Sequence, residues 1–491
     1  MRAVVRSLVA FIAFTGSAPA LSAVPVPRII GNPLGVATSG ALFTDAQGYV
    51  VLGPSRPDVP TMLDSRTSDG RLRWRAQIPA ICDHCSAPGV VQAWPDGTIG
   101  PFGEVGRVTV VDRRTGRVRS GCAGAGTAEP ATCITVRNTR DPTDPVRGVV
   151  ATRDGTQVWA FDDPTDAFGL STDVAMPGPA IAVAGTTVYV TGTKALIALS
   201  TTDGRLLWSM PSTRVLAATT ADVLVLRDRR SLGLMDPAGE MKWTIAPTAP
   251  LRGLQVDWTR RQMYLAVPVD NGWRTSLRAV RLTDGTTRWA RRFPETAVPT
   301  GVTAAGQVLV RVNRSRPWIS YPEQGRGQLH FGASDSVQAL TADGRLRWRL
   351  LTAESVTDAT ELADRSVAVV TGRSAETPGI VLRLTPSRRA AMPRRLSLRV
   401  TAVGSVLPIS AGIPRVRRLV VRVASPRAIP LVEEQVLRTG VVTEQPVLIP
   451  AGVSSFSTVV AGTSVRYRAH GARRPLAAFT VNANGNVRRT T

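Results

Sequence analysis

Lysine is almost absent from this 491-residue chain: Lys194 and Lys242 are the only two, although the formal net charge is +24. Arginine therefore carries the positive charge. Histidine is scarce as well. His84, His330 and His470 stand far apart, which argues against a histidine-built metal centre, and each reads as a surface or turn residue. Aromatic residues make up 5% of the chain, too few to interleave with arginine as a stacking platform, so specific nucleic-acid binding is not expected. No apolar run reaches the roughly 18 residues that a membrane-spanning helix requires. No amphipathic stretch of 3.6-residue period stands out, which excludes a helical bundle. Also missing are a G-x-S-x-G elbow, a P-loop and a glycine-rich strand-to-helix turn, the usual sequence marks of acyl transfer and nucleotide binding. "GPFGEVG" around Phe102 reads as a loop between strands.

Cysteine is sparse and confined to the first third, at Cys82, Cys85, Cys122 and Cys133. The N-terminus sets their context. Arg2 and Arg6 precede the short apolar run "LVAFIAF", and the small residues of "SAPA" and "LSA" follow. Residues 1–23 read as a Sec-type signal peptide, cleaved after Ala20 or Ala23. No cysteine follows to take a lipid, and "RAVVR" lacks paired arginines. A secreted or cell-envelope location is expected, and there an even cysteine count reads as two disulfides. Three connectivities are open, with Cys82–Cys85 and Cys122–Cys133 favoured as the local pairing. "CDHC" also matches a redox pair or part of a zinc site, but it lacks a helix-start context, and the spacing to the later pair fits no common zinc module.

Turn formers, by contrast, abound: 43 glycines and 36 prolines punctuate alternating Val-, Thr- and Arg-rich runs. The heptad "DGRLRWR" stands at Asp69–Arg75 and again at Asp343–Arg349. A looser form, Gly-x-x-x-Trp, ends at Trp74, Trp208, Trp243, Trp289 and Trp348. "VVDRRTGRVRS" around Gly116 is a copy without the indole, and "AFDDPTDAF" and "LRLTPSRRAAM" are eroded candidates. Gly70 and Gly344 lie 274 residues apart, and six steps between them average about 46 residues. That period suits four-stranded blades, and "GTTVYVTGTKALIALSTTDGRLLW" reads strand, turn, strand, turn, strand. Asp-Gly makes the reversal between two antiparallel strands, and the tryptophan four residues on is placed between neighbouring blades. "DGTQVWAFD" fits the spacing, yet Trp159 is assigned to an inner strand.

The pattern Ala-Leu, Asp-Gly and Trp resembles the tryptophan-docking motif of PQQ-like β-propellers. This architecture is shared by quinoprotein alcohol dehydrogenases and non-catalytic envelope propellers. The resemblance implies an all-β fold: a propeller over residues 30–394 with about eight blades, or seven in the alternative count. It also raises an alternative activity, a PQQ- and calcium-dependent alcohol or sugar dehydrogenase. Catalytic members resemble one another in an adjacent Cys-Cys disulfide, a tryptophan floor and a calcium held by Glu, Asn and Asp. No adjacent cysteines occur here, and Trp94, Trp258, Trp273 and Trp318 have no such cluster beside them. No catalytic, cofactor or metal residue is carried over. The outer-membrane assembly propellers that the ring resembles are lipoproteins, whereas an anchor cysteine is missing here.

From residue 395 to 491 the repeat gives way to short alternating strands, expected as a basic Ig-like β-sandwich. "PVLIPAGVSSFSTVV" is similar to a strand-turn-strand of Calx-β modules. Residues 391–491 carry fifteen arginines against Glu433, Glu434 and Glu444. A solvated basic surface accounts for such charge without a partner; attraction to an anionic polymer is the functional alternative. The expectation is a monomeric, non-enzymatic binding or scaffold protein that contacts a protein or an anionic envelope polymer. The inserted "VNRSRPWISYPEQGRGQLHF" supplies a candidate contact patch: Arg311, Arg314, Arg316, Trp318, Tyr321 and Arg326.

Overall fold

The computed structural model describes residues 27–29, 34–36, 42–45, 47–52, 61–78, 92–93, 98–102, 109–120, 125–126, 132–138, 147–153, 156–170, 181–247, 250–269, 274–313, 318–320, 328–330, 335–352, 356–371, 379–389, 397–405, 417–436, 442–460, 464–469, 475–481 and 487–490. Every helix or strand among them is a strand. Eight antiparallel sheets come first, seven of four strands and one of five. Numbered along the chain, sheets 1 to 7 span 42–78, 92–120, 125–162, 181–211, 213–245, 253–293 and 296–352, and sheet 8 is built on 356–389. Each is a meander, with consecutive strands paired in order. Sheet 7 is interrupted by an extra hairpin, Trp318–Ser320 with Gln328–His330, between its second and third strands.

Sheet 8 takes its outer strand from the start of the chain: Pro27–Ile29 pairs antiparallel with Gly379–Arg389. Among the described residues the first strand is Pro27–Ile29, and Leu382–Arg389 of the eroded candidate "LRLTPSRRAAM" belongs to the strand that receives it. First strands of neighbouring sheets lie side by side: Gly253–Asp257 with Thr296–Val302, that strand with Val356–Glu361, and Val356–Glu361 with Leu42–Asp45. The last contact joins sheet 8 to sheet 1 and closes a ring, a β-propeller.

The core lies between the sheets. Val50, Leu63, Ala76 and Ile78 of sheet 1 form one buried cluster with Ile99 and Val111 of sheet 2. Ile134, Val149 and Ala151 of sheet 3 do the same with Val188, Val190 and Ile197 of sheet 4. Middle strands therefore meet a neighbour on each face. Thr187–Thr191 and Val367–Thr371 are buried at every position, which is why they read as near-continuous apolar runs. The closing seam uses Tyr49 and Val51 against Leu362, Ala368, Val370 and Val381.

Residues 397–489 form two more sheets. One has three strands, Ser397–Ser405, Arg417–Ser425 and Gly452–Val460; the other has five and contains Ile429–Val436 and Ser464–Ala469. Leu398, Leu419, Val421 and Val423 of the first share one core with Leu431, Val465, Tyr467 and Phe479 of the second. This unit touches the ring at a defined place. Ala428 joins the buried cluster that holds Trp348, and Leu448 packs against it.

Candidate functional site

The repeated tryptophans sit on outer strands, and strand register explains their neighbours. In sheet 4 the row across the strands is Tyr189, Ala198, Trp208; in sheet 6 it is Tyr264, Ala279, Trp289. A small residue beside the indole leaves room for the ring to lean toward the next sheet. Just before each tryptophan the register slips by one residue. Leu199 pairs with Leu206 and Ala198 with Trp208, so Leu207 is extra, and Lys242, Arg288, Arg347, Arg73 and Val158 hold the same place elsewhere. Such a bulge twists the strand and re-aims the following side chain.

Four of these indoles then reach the glycine turn of the following sheet. Nε1 donates to a backbone carbonyl there: Trp74 to Arg113 at 3.0 Å, Trp208 to Pro237 at 2.9 Å, Trp243 to Leu282 at 2.8 Å and Trp289 to Ala342 at 2.7 Å. The ring covers that turn's glycine. An added Cβ would lie 2.6 Å from Trp74 at Gly116, 3.1 Å from Trp208 at Gly239 and 3.0 Å from Trp243 at Gly285. These glycines also have positive φ, from 72° to 92°, so both backbone and contact demand the missing side chain.

Trp159 belongs to this set. It lies on Thr156–Asp162, the outer strand of sheet 3, not on an inner strand, and it donates to Thr201 at 2.9 Å while covering Gly204. The spacing Gly155-x-x-x-Trp159 carried the right information; the apolar look of "VWAF" arises from an exposed bulge residue, Val158, beside the buried indole. The eroded candidate around Asp163 is instead a turn after that strand, in which the Asp163 carboxylate accepts from the Ala167 and Phe168 amides.

Trp348 differs from the others. It is 1% exposed, and its N–H has no acceptor among the described residues. Sheet 8 has no Asp-Gly turn to offer, because its outer strand arrives from the N-terminus. Ala428 and Leu448 fill the space instead.

Both lysines are committed to such joints. Lys194 donates to Asp166, and Lys242, a bulge residue, donates to Asp222 at 2.8 Å while Arg261 of sheet 6 pairs with the same carboxylate. Burial pushes the Asp222 carboxyl up, but hydrogen bonds from Arg261 and Lys242 outweigh it and hold the net pKa below the usual carboxylate range.

Of the candidate contact patch, Arg311 and Trp318 lie among the described residues. Arg311 lies on Val308–Asn313, the second strand of sheet 7, and donates to the Thr357 carbonyl on the first strand of sheet 8. Burial pushes its pKa down. It therefore ties two sheets rather than offering itself from a loop. Trp318 sits on the inserted hairpin opposite His330. Arg314, Arg316, Tyr321 and Arg326 lie outside the described residues, as do Cys82, Cys85 and Cys122. Cys133, at the start of Cys133–Asn138, is disulfide-bonded.

The described residues bring together no group of three or more His, Cys, Asp or Glu able to hold a metal ion. Among them no helix is long and apolar enough to cross a membrane.

Ring closure, meandering blades and docked indoles define a β-propeller of the PQQ-like kind. Residues 145–387 match the family model described as outer membrane protein assembly factor BamB, so this stretch is similar to the PQQ-like repeats of that family. No curated protein matches the chain. Among solved structures, BamB from Moraxella catarrhalis is 14% identical, with 73% of this chain and 100% of that one covered and a TM-score of 0.42. Saccharomyces cerevisiae Sqt1 is 11% identical, with 74% and 96% covered and a TM-score of 0.39.

Proposed function

We propose that the protein is a non-enzymatic propeller that serves as a binding scaffold at the cell envelope. The supporting observation is how its tryptophans are used. Trp74, Trp159, Trp208, Trp243 and Trp289 all turn their N–H groups to backbone carbonyls of the next blade. Rings spent on holding sheets together are not free to floor a cofactor, and what faces solvent is arginine-rich. The family description, an outer membrane assembly factor, agrees with a role in holding other molecules. Export through residues 1–23 and disulfides among Cys82, Cys85, Cys122 and Cys133 belong to the same reading.

The test pairs two measurements on the exported, full-length protein. Co-sedimentation with isolated envelopes should be strong at low salt and weaken as salt rises, as arginine-mediated contacts require. Dye-linked oxidation of alcohols and sugars after addition of PQQ and Ca²⁺ should stay at background. Turnover would replace the scaffold reading with the dehydrogenase one.

A further inference from the structure

The three-stranded sheet of the C-terminal unit has an unusual charge distribution. Its strands, Ser397–Ser405, Arg417–Ser425 and Gly452–Val460, contain Arg399, Arg417, Arg418 and Arg422 and no acidic residue. Glu433, Glu434 and Glu444, the only acids after residue 391, all lie on the opposing sheet. There Arg468 pairs with Glu434, and Tyr467 and Gln435 donate to buried Glu433 at 2.9 and 2.7 Å.

Arg399 and Arg422 are directly opposite each other in the antiparallel register. Both are exposed, and neither makes an ion pair or side-chain hydrogen bond among the described residues. Like charges facing across a strand pair cost stability. Their neighbours are small or aliphatic: Ser397 stands opposite Ala424, which stands opposite Val453, 64% exposed. Leu398, Val421 and Val423 point the other way into the core, and the contact with the propeller is made by Leu448 of the second sheet and by Ala428, in the turn that joins the two sheets. The arginine face therefore belongs to the sheet that does not make this contact.

We propose that this face binds a linear phosphodiester polymer of the envelope, through Arg399 and Arg422. The proposal rests on the scaffold reading and names its ligand. Guanidinium forks match phosphate oxyanions in two-point contacts, and a chain of phosphates laid across the face would relieve the repulsion between the pair. The three strands contain a single aromatic residue, Phe456, so the sheet is poor in rings that could stack a base or a sugar. Recognition there is by charge alone, which suits a polymer without bases.

The experiment titrates full-length protein with labelled poly(glycerol phosphate) by fluorescence anisotropy at several salt concentrations. Single-stranded poly-dT and polygalacturonate of equal charge number serve as comparators. The Arg399→Gln/Arg422→Gln double variant should lose affinity about tenfold or more and lower the salt slope by about 1.5 to 2, as loss of two phosphate contacts requires. It should fold with unchanged or slightly raised thermal stability. An Arg205→Gln/Arg345→Gln control on the propeller should bind as the parent does. Equal losses in both variants, no loss in the first, or tighter binding of either comparator would each overturn the proposal. If the double variant binds the polymer normally yet envelope co-sedimentation persists, this site fails while the scaffold reading stands. Quinone-dependent turnover would remove that reading itself.

Discussion

The indole of Trp289 occupies the space where Gly344 would carry a side chain: an added Cβ would lie 2.8 Å from its Cδ2, and the Gly344 backbone has φ of +78°. Asp343, next to that glycine, receives Arg288 from the bulge beside the same indole, at 2.6 Å. In the copy at Asp343–Arg349 the glycine is the socket for the previous blade's indole, and in the copy at Asp69–Arg75 the tryptophan is the plug for the next blade's turn. A heptad that carries both parts can serve at either kind of joint, which is a physical reason for writing "DGRLRWR" twice.

Gly344→Ala should therefore destabilise the protein by about 2–5 kcal/mol, from left-handed strain of about 1–2 and overpacking of about 1–3. Gly452 makes the comparison clean, since it also has positive φ (+98°) but nothing lies within 4 Å of its added Cβ. Gly452→Ala should cost about 1 kcal/mol through backbone strain alone. Chemical denaturation of both variants measures the difference; equal losses would mean that the indole contact contributes nothing.

Trp243 and Trp348 separate the hydrogen bond from the packing. Trp243 is 9% exposed and donates at 2.8 Å to Leu282. Trp243→Phe removes a donor from a buried carbonyl and should cost about 1–3 kcal/mol beyond the smaller ring. Trp348 is more fully enclosed but donates to no described acceptor. Trp348→Phe should cost less than Trp243→Phe by about 1 kcal/mol or more. Denaturation midpoints at constant m-value settle the order.

Most of the ring was readable because its determinants are local. Gly at positive φ, a small residue opposite the indole and tryptophan four residues after Gly all fall within one hairpin, as in Ala279, Gly285 and Trp289. Trp159 was misplaced because the bulge puts exposed Val158 beside it, and the stretch then imitates a buried inner strand. Ring closure by Pro27–Ile29 was missed because its partner strand is more than 340 residues away and three residues carry no periodicity. Arg311 could not be told from a loop arginine, since its burial depends on Thr357 in another sheet. The charge of the C-terminal unit was legible as a total; its segregation onto one sheet required the pairing.

Asp222 predicts a pH dependence. Its carboxyl is buried, yet Arg261 and Lys242 hold its pKa below the usual range. A folded-state pKa lower than the unfolded one means that the unfolded chain binds the proton more readily. The stabilisation is then fully present above the ordinary carboxylate range and is lost as pH falls through the depressed folded value. Asp222→Asn should flatten this part of the stability profile between neutral and acidic pH, measured by thermal melts across that range. A parallel loss of stability in parent and variant would show that the link between sheets 5 and 6 does not depend on this charge.

Ala428 offers the sharpest test of how the C-terminal unit is joined to the ring. It is 4% exposed in the cluster with Trp348, Leu350 and Leu384, where a docking turn would otherwise sit. Ala428→Glu would place an unpaired charge against the indole, at a cost of several kcal/mol if the seam stayed shut. Opening the seam is the cheaper response, and it would expose Trp348 without unfolding the remaining blades. The expected result is red-shifted tryptophan emission and faster proteolysis near residues 390–396, with most β-sheet circular dichroism retained. In a Trp348→Phe background the emission change should shrink, which identifies the indole responsible. Unchanged emission in Ala428→Glu would mean that the C-terminal unit does not cover Trp348 in solution.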